Sequence, residues 1–216
     1  MSLPSAPPVY PARLDVDYSD QHNRVTTLFR IVLIIPIAIV YGVLTAGETR
    51  RVYDQSTGEV VSTTSGGIIA GLFLATLLMI VFRQRYPRWW FEFARELTRF
   101  GTRIGAYFAL LTDQYPSTVE EQQVHLHIDY PEVERDLNRW LPLVKWLLAI
   151  PHYLVLIVLV MAAFFAVVFA WFAILFTGRY PRGLFDFVVG VARWGLRVQA
   201  YAILLVTDRY PPFSLN

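Results

Sequence analysis

The stretch RYPRWWFEFARELTRFGTRIGAYFALLTDQYP at residues 85–116 returns at residues 179–211 as RYPRGLFDFVVGVARWGLRVQAYAILLVTDRYP. The two copies align at an offset of 94, and one extra residue near the end of the second copy shifts the offset to 95. Self-similarity over so long a stretch is typical of a repeated structural unit. We therefore predict that the chain is a tandem repeat of two equivalent halves.

The composition indicates a membrane protein. Hydrophobic residues make up 55% of the 216 residues and charged residues 17%, whereas soluble domains carry about 25% charged residues. Apolar blocks at residues 25–46, 66–82 and 140–177 reach or exceed the length of about 17 to 25 residues that a bilayer span needs. The chain has no cysteine, which excludes disulfides and thiol chemistry.

The earlier part of each half repeats at another offset, which locates an insertion. Arg30 and Pro36 align with Lys145 and Pro151 at an offset of 115, so 115 − 94 leaves 21 residues that only the first half has. The polar stretch at residues 47–65 is nearly this long. Because unsatisfied polar backbone cannot lie in lipid, we predict an external insert there, with a hairpin that turns at Ser56 to Gly58.

The fold class that follows is an all-α membrane protein. Each tandem unit is predicted to have two transmembrane helices and an amphipathic, interfacial helix, with short β segments outside the bilayer. The first membrane repeat is residues 23–116 and the second is residues 139–216. The cytoplasmic N-terminal segment 1–22 and the cytoplasmic linker 117–138 each carry a short strand, and the two strands could pair. The predicted spans are residues 23–46, 66–83, 139–160 and 162–177.

The apolar tract at residues 139–177 permits two arrangements. As one straight helix it would be about 57 Å long, nearly twice the hydrocarbon core. We predict a hairpin near Met161, which gives two spans. The alternative is a break at Pro151, with an interfacial segment at 139–150 and one span at 152–177.

The repeated tetrapeptide is predicted to be a membrane-surface elbow. Proline disfavours helix in the preceding residue and is tolerated in the first turn of the next helix. The eight elbow residues are Arg85, Tyr86, Pro87, Arg88, Arg179, Tyr180, Pro181 and Arg182. The helix after each elbow carries its charges on one face, as interfacial helices do. If these helices crossed the membrane instead, each half would have three crossings and the repeats would be inverted.

Basic residues predict the orientation. With the spans above, Arg50 and Arg51 lie on one side of the membrane and the other 17 of the 19 Lys and Arg residues on the opposite side. Because cytoplasmic loops are enriched in Lys and Arg, we predict that the N- and C-termini are cytoplasmic.

Four arginines are candidates for binding anions or lipid headgroups. Arg99 and Arg103 recur in register as Arg193 and Arg197, on helices otherwise rich in apolar side chains. Guanidinium groups bind phosphate oxygens well, which predicts anionic membrane lipids as partners. The alternative is structural, with arginines that snorkel or pair with nearby acids.

Other motifs are weaker. His125, His127 and Asp129 alternate along a predicted strand and are weak metal candidates, but a solvent-facing strand surface explains them better, so we predict no metal and no cofactor. Pro36 and Pro151 are predicted helix kinks. No Walker loop, dinucleotide fingerprint, HExxH or GxSxG motif is present. We therefore predict no enzyme activity, and also no nucleic-acid partner, since the basic residues are distributed at membrane boundaries.

Three stretches carry a resemblance to a known family: LLAIPHYLVLIVL at 147–159, WFAILFTGRYPRGLFDFVVGVARWGLRVQAYAILL at 171–205 and TDRYPPFSL at 207–215. They resemble a family of bacterial integral membrane proteins known as domain of unknown function 4389. The resemblance covers both halves and is strongest over about 126–216, while the first half departs through its insert and through RWWFEF in place of RGLFDF. It implies a polytopic bacterial membrane protein without an assigned activity and supplies no site residues; we expect the bacterial cytoplasmic membrane as its location.

These features predict a non-catalytic polytopic integral membrane protein. We expect an accessory or scaffold subunit that binds anionic lipids or partner membrane proteins, either as a homo-oligomer or within a membrane complex. The alternative is a small oligomeric channel or transporter for anions, built around the proline kinks and the repeated arginines.

Overall fold

The computed structural model describes residues 10–47, 49–53, 60–64 and 67–216. Its strands are β1 (Ala12–Val16), β2 (Thr49–Tyr53), β3 (Val60–Thr64) and β4 (Val124–Ile128). Its helices are α1 (Arg24–Leu28), α2 (Arg30–Thr45), α3 (Ile68–Leu78, followed by a π-helical turn Met79–Arg83), α4 (Arg88–Phe108), α5 (Val133–Asp136), α6 (Pro142–Leu148), α7 (Ile150–Thr177) and α8 (Arg182–Ala202).

A two-stranded antiparallel sheet of β1 and β4 connects the two halves. Leu14 lies opposite Leu126, and both side chains are buried. Successive side chains of a strand point to opposite faces, so Ala12, Leu14, Val124 and Leu126 face the core while the intervening residues face outward. The two strands expected outside the bilayer therefore pair with each other.

The strands are exchanged between the halves. β1 precedes the first repeat but packs on α8 of the second, and β4 precedes the second repeat but packs on α4 of the first. α4 and α8 each contain 21 residues and begin at the arginine that ends an elbow tetrapeptide. Just beyond them, Leu110 and Leu205 both have positive φ, and their spacing of 95 residues matches the shifted sequence offset.

The predicted hairpin near Met161 is wrong. α6 ends at Leu148, and α7 runs without a break from Ile150 to Thr177. Pro151 lies in the first turn of α7, where its missing N–H removes no helical hydrogen bond. The observed division resembles the alternative arrangement, with a break beside Pro151 and one long helix after it.

The prediction of two transmembrane helices in each unit is also wrong. Within the described residues, α7 is the one helix that is long and apolar enough to cross a membrane, by length and composition. The first predicted span is divided, because α1 ends at Leu28 and α2 begins at Arg30. With 16 residues, α2 is about 24 Å long, which is shorter than the roughly 30 Å hydrocarbon core.

The insert of the first half forms a second antiparallel sheet from β2 and β3. A Cβ at Gly67 would lie 1.9 Å from the carbonyl oxygen of Thr45, so the chain returns from the insert to the point where it left α2. The predicted turn at Ser56 to Gly58 lies outside the described residues. Pro36 lies inside α2.

The elbow tyrosines are part of the core. Tyr86 is 3% exposed and Tyr180 is 0% exposed, whereas the arginines of both elbows are exposed. The Tyr18 hydroxyl donates to the Tyr180 carbonyl oxygen at 2.6 Å, and the Tyr130 hydroxyl donates to the Tyr86 carbonyl oxygen at 2.5 Å. Each strand segment is thus fastened to the elbow of the other half.

We expect Tyr18→Phe and Tyr130→Phe each to lower the free energy of unfolding by about 0.5–1.5 kcal/mol, because each removes one hydrogen bond between the halves. Tyr115→Phe is the control, since the Tyr115 hydroxyl has no hydrogen-bond partner among the described residues. Denaturant titration of the purified variants measures the effect. Equal stability of all three variants would contradict the proposed fastening.

Candidate functional site

A buried cation, Arg30, lies beside the residues that follow the C-terminal end of α4 in the first half. The Arg30 side chain is 2% exposed; its Nη1 donates to the Thr112 carbonyl oxygen at 2.9 Å and its Nη2 pairs with the Asp113 carboxylate. The guanidinium also lies 4.0 Å from the centre of the Tyr107 ring. His22 Nδ1 lies 3.6 Å from the same carboxylate.

The second half repeats this arrangement at the end of α8. The Lys145 side chain is 0% exposed, and its Nζ donates to the Thr207 carbonyl oxygen at 2.7 Å and lies 2.7 Å from Asp208 Oδ1. It lies 5.3 Å from the centre of the Tyr201 ring. These residues align with Arg30, Thr112, Asp113 and Tyr107 in the sequence repeat. The sequence analysis aligned the two cations but did not join either of them to an aspartate; the equivalent positions of Asp113 and Asp208 in the repeat are the signal that could have done so.

The surroundings of these pairs shift the pKa values of their members. Burial acts to raise the pKa of Asp113, but His22, the Asn23 backbone N–H and the Arg30 charge together hold that pKa below its usual value. Burial lowers the pKa of Lys145, and Asp208 opposes that shift. Since removal of a cation from water is costly unless an anion accompanies it, both pairs are structural requirements of the core.

We expect Asp208→Ala to lower the free energy of unfolding by about 3–5 kcal/mol, because it leaves the Lys145 ammonium buried and unpaired. The double variant Lys145→Met, Asp208→Ala should recover most of the loss. Glu92→Ala is the matched control, since it breaks the exposed pair with Arg88 and should cost about 0–1 kcal/mol. Chemical denaturation compares the three, and a cost for Asp208→Ala no larger than that of Glu92→Ala would refute a structural role.

Acid should weaken the first pair. Because the folded-state pKa of Asp113 is lowered, its contribution to stability is present above the unfolded pKa of about 3.9 and is lost as pH falls through the folded value. Asp113→Asn should therefore flatten the decline in unfolding free energy as the pH falls below about 4. Asp20→Asn, at an exposed position, is the control and should leave the decline unchanged. Identical pH profiles for wild type and Asp113→Asn would contradict this assignment.

Arg99 and Arg193 cap the two outer edges of the sheet. Arg99 Nη2 donates to the Leu126 carbonyl oxygen at 3.4 Å, and Arg193 Nε donates to the Leu14 carbonyl oxygen at 2.9 Å. These carbonyls belong to opposed residues whose edges would otherwise be unpaired. Both arginines also pair with acids, Arg99 with Glu96 at 2.6 Å and Arg193 with Asp15 at 3.0 Å.

Arg103 and Arg197 have no such acid. Each residue is 8% exposed, and neither has the carboxylate of an Asp or Glu side chain within 4 Å in the part of the chain that the structure describes. Arg103 Nη1 donates to the Ser117 carbonyl oxygen at 2.5 Å, and Arg197 Nη1 donates to the Ser214 carbonyl oxygen at 3.3 Å. Burial lowers the pKa of both guanidinium groups, and the neighbouring arginines lower it further.

The first-half pair lines an open groove of about 720 Å³ beside β4. Arg13, His125 and His127 line the same groove. The predicted anion-binding residues are thus brought together within each half, Arg99 with Arg103 and Arg193 with Arg197, but the structure gives the two pairs different surroundings.

The weak metal candidates take part in separate contacts. His125 Nε2 lies 3.0 Å from Asp17, and His127 Nε2 lies 2.8 Å from Asp129. Asp129 also lies 3.4 Å from Arg13. Among the described residues, no group of three or more potential ligands has a geometry that could hold a metal ion.

Residues 140–214 match the model of a family described as a domain of unknown function (DUF4389). The match covers about a third of the chain and includes α6, α7 and α8. The expected resemblance is therefore confirmed as a domain of unknown function in the second half, while membrane location and bacterial origin stay predictions. Comparison with curated proteins and with solved structures gave no match.

Proposed function

We propose that this protein is a non-catalytic membrane protein, a scaffold that is seated in the bilayer through α7 and gathers anionic lipids at its exposed arginines. The observation that carries the proposal is the surface of α7. Only 17% of its most apolar 18-residue window is buried, whereas the core helix of a soluble protein is mostly covered. At 28 residues the helix is about 42 Å long, enough to cross the hydrocarbon core.

Exposed apolar side chains are also frequent outside α7. Ile31 and Val43 on α2 are 69% and 77% exposed, and Leu74 on α3 is 56% exposed. Soluble monomers rarely expose apolar patches larger than a few hundred Å². Lipid is the simplest cover for so many apolar side chains.

The ends of α7 suit a headgroup layer. Arg179 and Arg182 are exposed just beyond its C-terminus, and Arg24 approaches Gly178 at that end. Trp140 and Trp146, which precede its N-terminus, are 63% and 53% exposed. Tryptophan and basic residues are enriched at membrane boundaries.

A binding role is supported over a catalytic one by the chemistry of the buried charges. Arg30 and Lys145 are buried and paired with Asp113 and Asp208, an arrangement suited to a structural role. The sequence also lacks hydrolase and nucleotide-binding motifs. Exposed arginines on the helices after the elbows supply the contacts for anionic headgroups.

We expect the double substitution Phe165→Arg, Phe169→Arg to release the protein from membranes. Both side chains lie near the middle of α7 and are 54% and 66% exposed. An arginine at the centre of a membrane helix costs about 2.5–3.5 kcal/mol on insertion scales. Alkaline carbonate extraction of membranes measures the fraction retained.

Val119→Arg is the matched control, since Val119 is a 90% exposed apolar residue in the loop after α4. It should stay in the carbonate-resistant fraction with the wild type. Extraction of the wild-type protein by carbonate, or equal retention of all three forms, would overturn the proposal.

A further inference from the structure

We propose that Arg99 and Arg103, with the groove beside β4, form a binding site for a phosphate group. The site deepens the proposed function, on which it rests for the lipid source of that phosphate, by naming the half of the molecule that binds. The equivalent pair in the second half, Arg193 and Arg197, is filled by the protein's own chain.

The second half shows what an arginine pair in this position accepts. Arg193 Nη1 donates to the Leu215 carbonyl oxygen at 3.2 Å, while Arg197 donates from Nη1 to Ser214 and from Nη2 to Asn216. The pair therefore holds three oxygen acceptors from one short segment. A phosphate group presents a similar number of oxygens, and guanidinium groups bind them with strong, charge-assisted hydrogen bonds.

The first half keeps the same pair but surrounds it differently. Arg103 donates to Ser117, and Arg99 to Glu96 and Leu126, so within the described residues no single segment accepts from both guanidiniums. Arg103 is 8% exposed, and its Nε, like that of Arg197, is buried without a hydrogen-bond partner among the described residues. A buried cation without a counter-ion is costly, and an anion in the groove would remove that cost.

The remaining groove residues bear on the kind of anion. Arg13, His125 and His127 add three further nitrogen-bearing side chains, while Asp15 and Glu121 contribute carboxylates. Asp15 is already paired with Arg193 at 3.0 Å. A volume of about 720 Å³ accommodates a phosphate group with or without a small substituent. Inorganic phosphate and the headgroup of a phospholipid both present such a group.

The test compares equivalent arginines of the two halves. The purified full chain in a neutral detergent is titrated with inorganic phosphate by calorimetry, as wild type, Arg103→Gln and Arg197→Gln. We expect saturable binding that Arg103→Gln weakens about 10- to 100-fold and Arg197→Gln leaves within about twofold. Glu121→Gln, an exposed change that leaves the buried arginines intact, should tighten binding.

A second arm separates the two phosphate sources. The same proteins are floated with phosphatidylcholine vesicles and with vesicles that contain phosphatidylglycerol. A preference for phosphatidylglycerol that Arg103→Gln abolishes and Arg197→Gln retains supports the site with a lipid as its ligand, even where free phosphate binds weakly. Flotation with the neutral phosphatidylcholine vesicles measures membrane insertion alone. If the wild-type protein does not float with these vesicles, the proposed function is refuted and not the phosphate site.

Thermal unfolding without ligand tests whether Arg103 has only a structural role. Arg103→Gln removes a buried, unpaired cation and should melt at or above the wild-type temperature. The site is overturned by equal losses in Arg103→Gln and Arg197→Gln, or by the absence of both saturable phosphate binding and a phosphatidylglycerol preference.

Discussion

The exchange of β1 and β4 between the halves is the constraint on which the rest of the structure depends. Each strand leads into one repeat along the chain but covers the helix of the other, so neither half can bury its helix alone. The antiparallel pairing places Leu14, in the strand before the first repeat, opposite Leu126, in the strand before the second repeat. The tyrosines that follow the strands then bind the opposite elbows, which ties the ends of the sheet to α3 and α7.

A sheet of two strands leaves unpaired backbone groups at both outer edges, and here arginine side chains donate hydrogen bonds to two of these groups. Arg99 and Arg193 donate to the edge carbonyls of Leu126 and Leu14, which satisfies groups that would otherwise invite further pairing. The same residue type thus serves a structural purpose next to Arg103 and Arg197, two buried arginines that have no Asp or Glu side chain within 4 Å among the described residues. Repetition preserved the arginines, while the surrounding chain diverged, and that divergence leaves the first pair facing a groove and the second covered by residues 214–216.

Charge and apolar surface are separated in a way that suits a lipid boundary. The ion pairs of Arg30 and Lys145 lie inside the protein, where desolvation is compensated by carboxylates and backbone carbonyls. The apolar side chains of α7, by contrast, lie largely outside, where water would be a poor solvent for them. The proposed membrane location rests on this contrast between buried ion pairs and the exposed apolar side chains of α7.

The sequence by itself determined the repeat, the starts of α4 and α8 after the elbow prolines, and the strands β1 and β4, because these features depend on local patterns. It misled over residues 139–177, since an uninterrupted apolar tract carries no turn signal and its length was divided into two spans, whereas the chain breaks at Ala149 and then continues as one helix. Only the tertiary structure decided that Arg30 meets Asp113 and Lys145 meets Asp208, and that each strand crosses to the other half. These contacts join residues more than 60 positions apart, so their energies depend on burial and partners that no local pattern records.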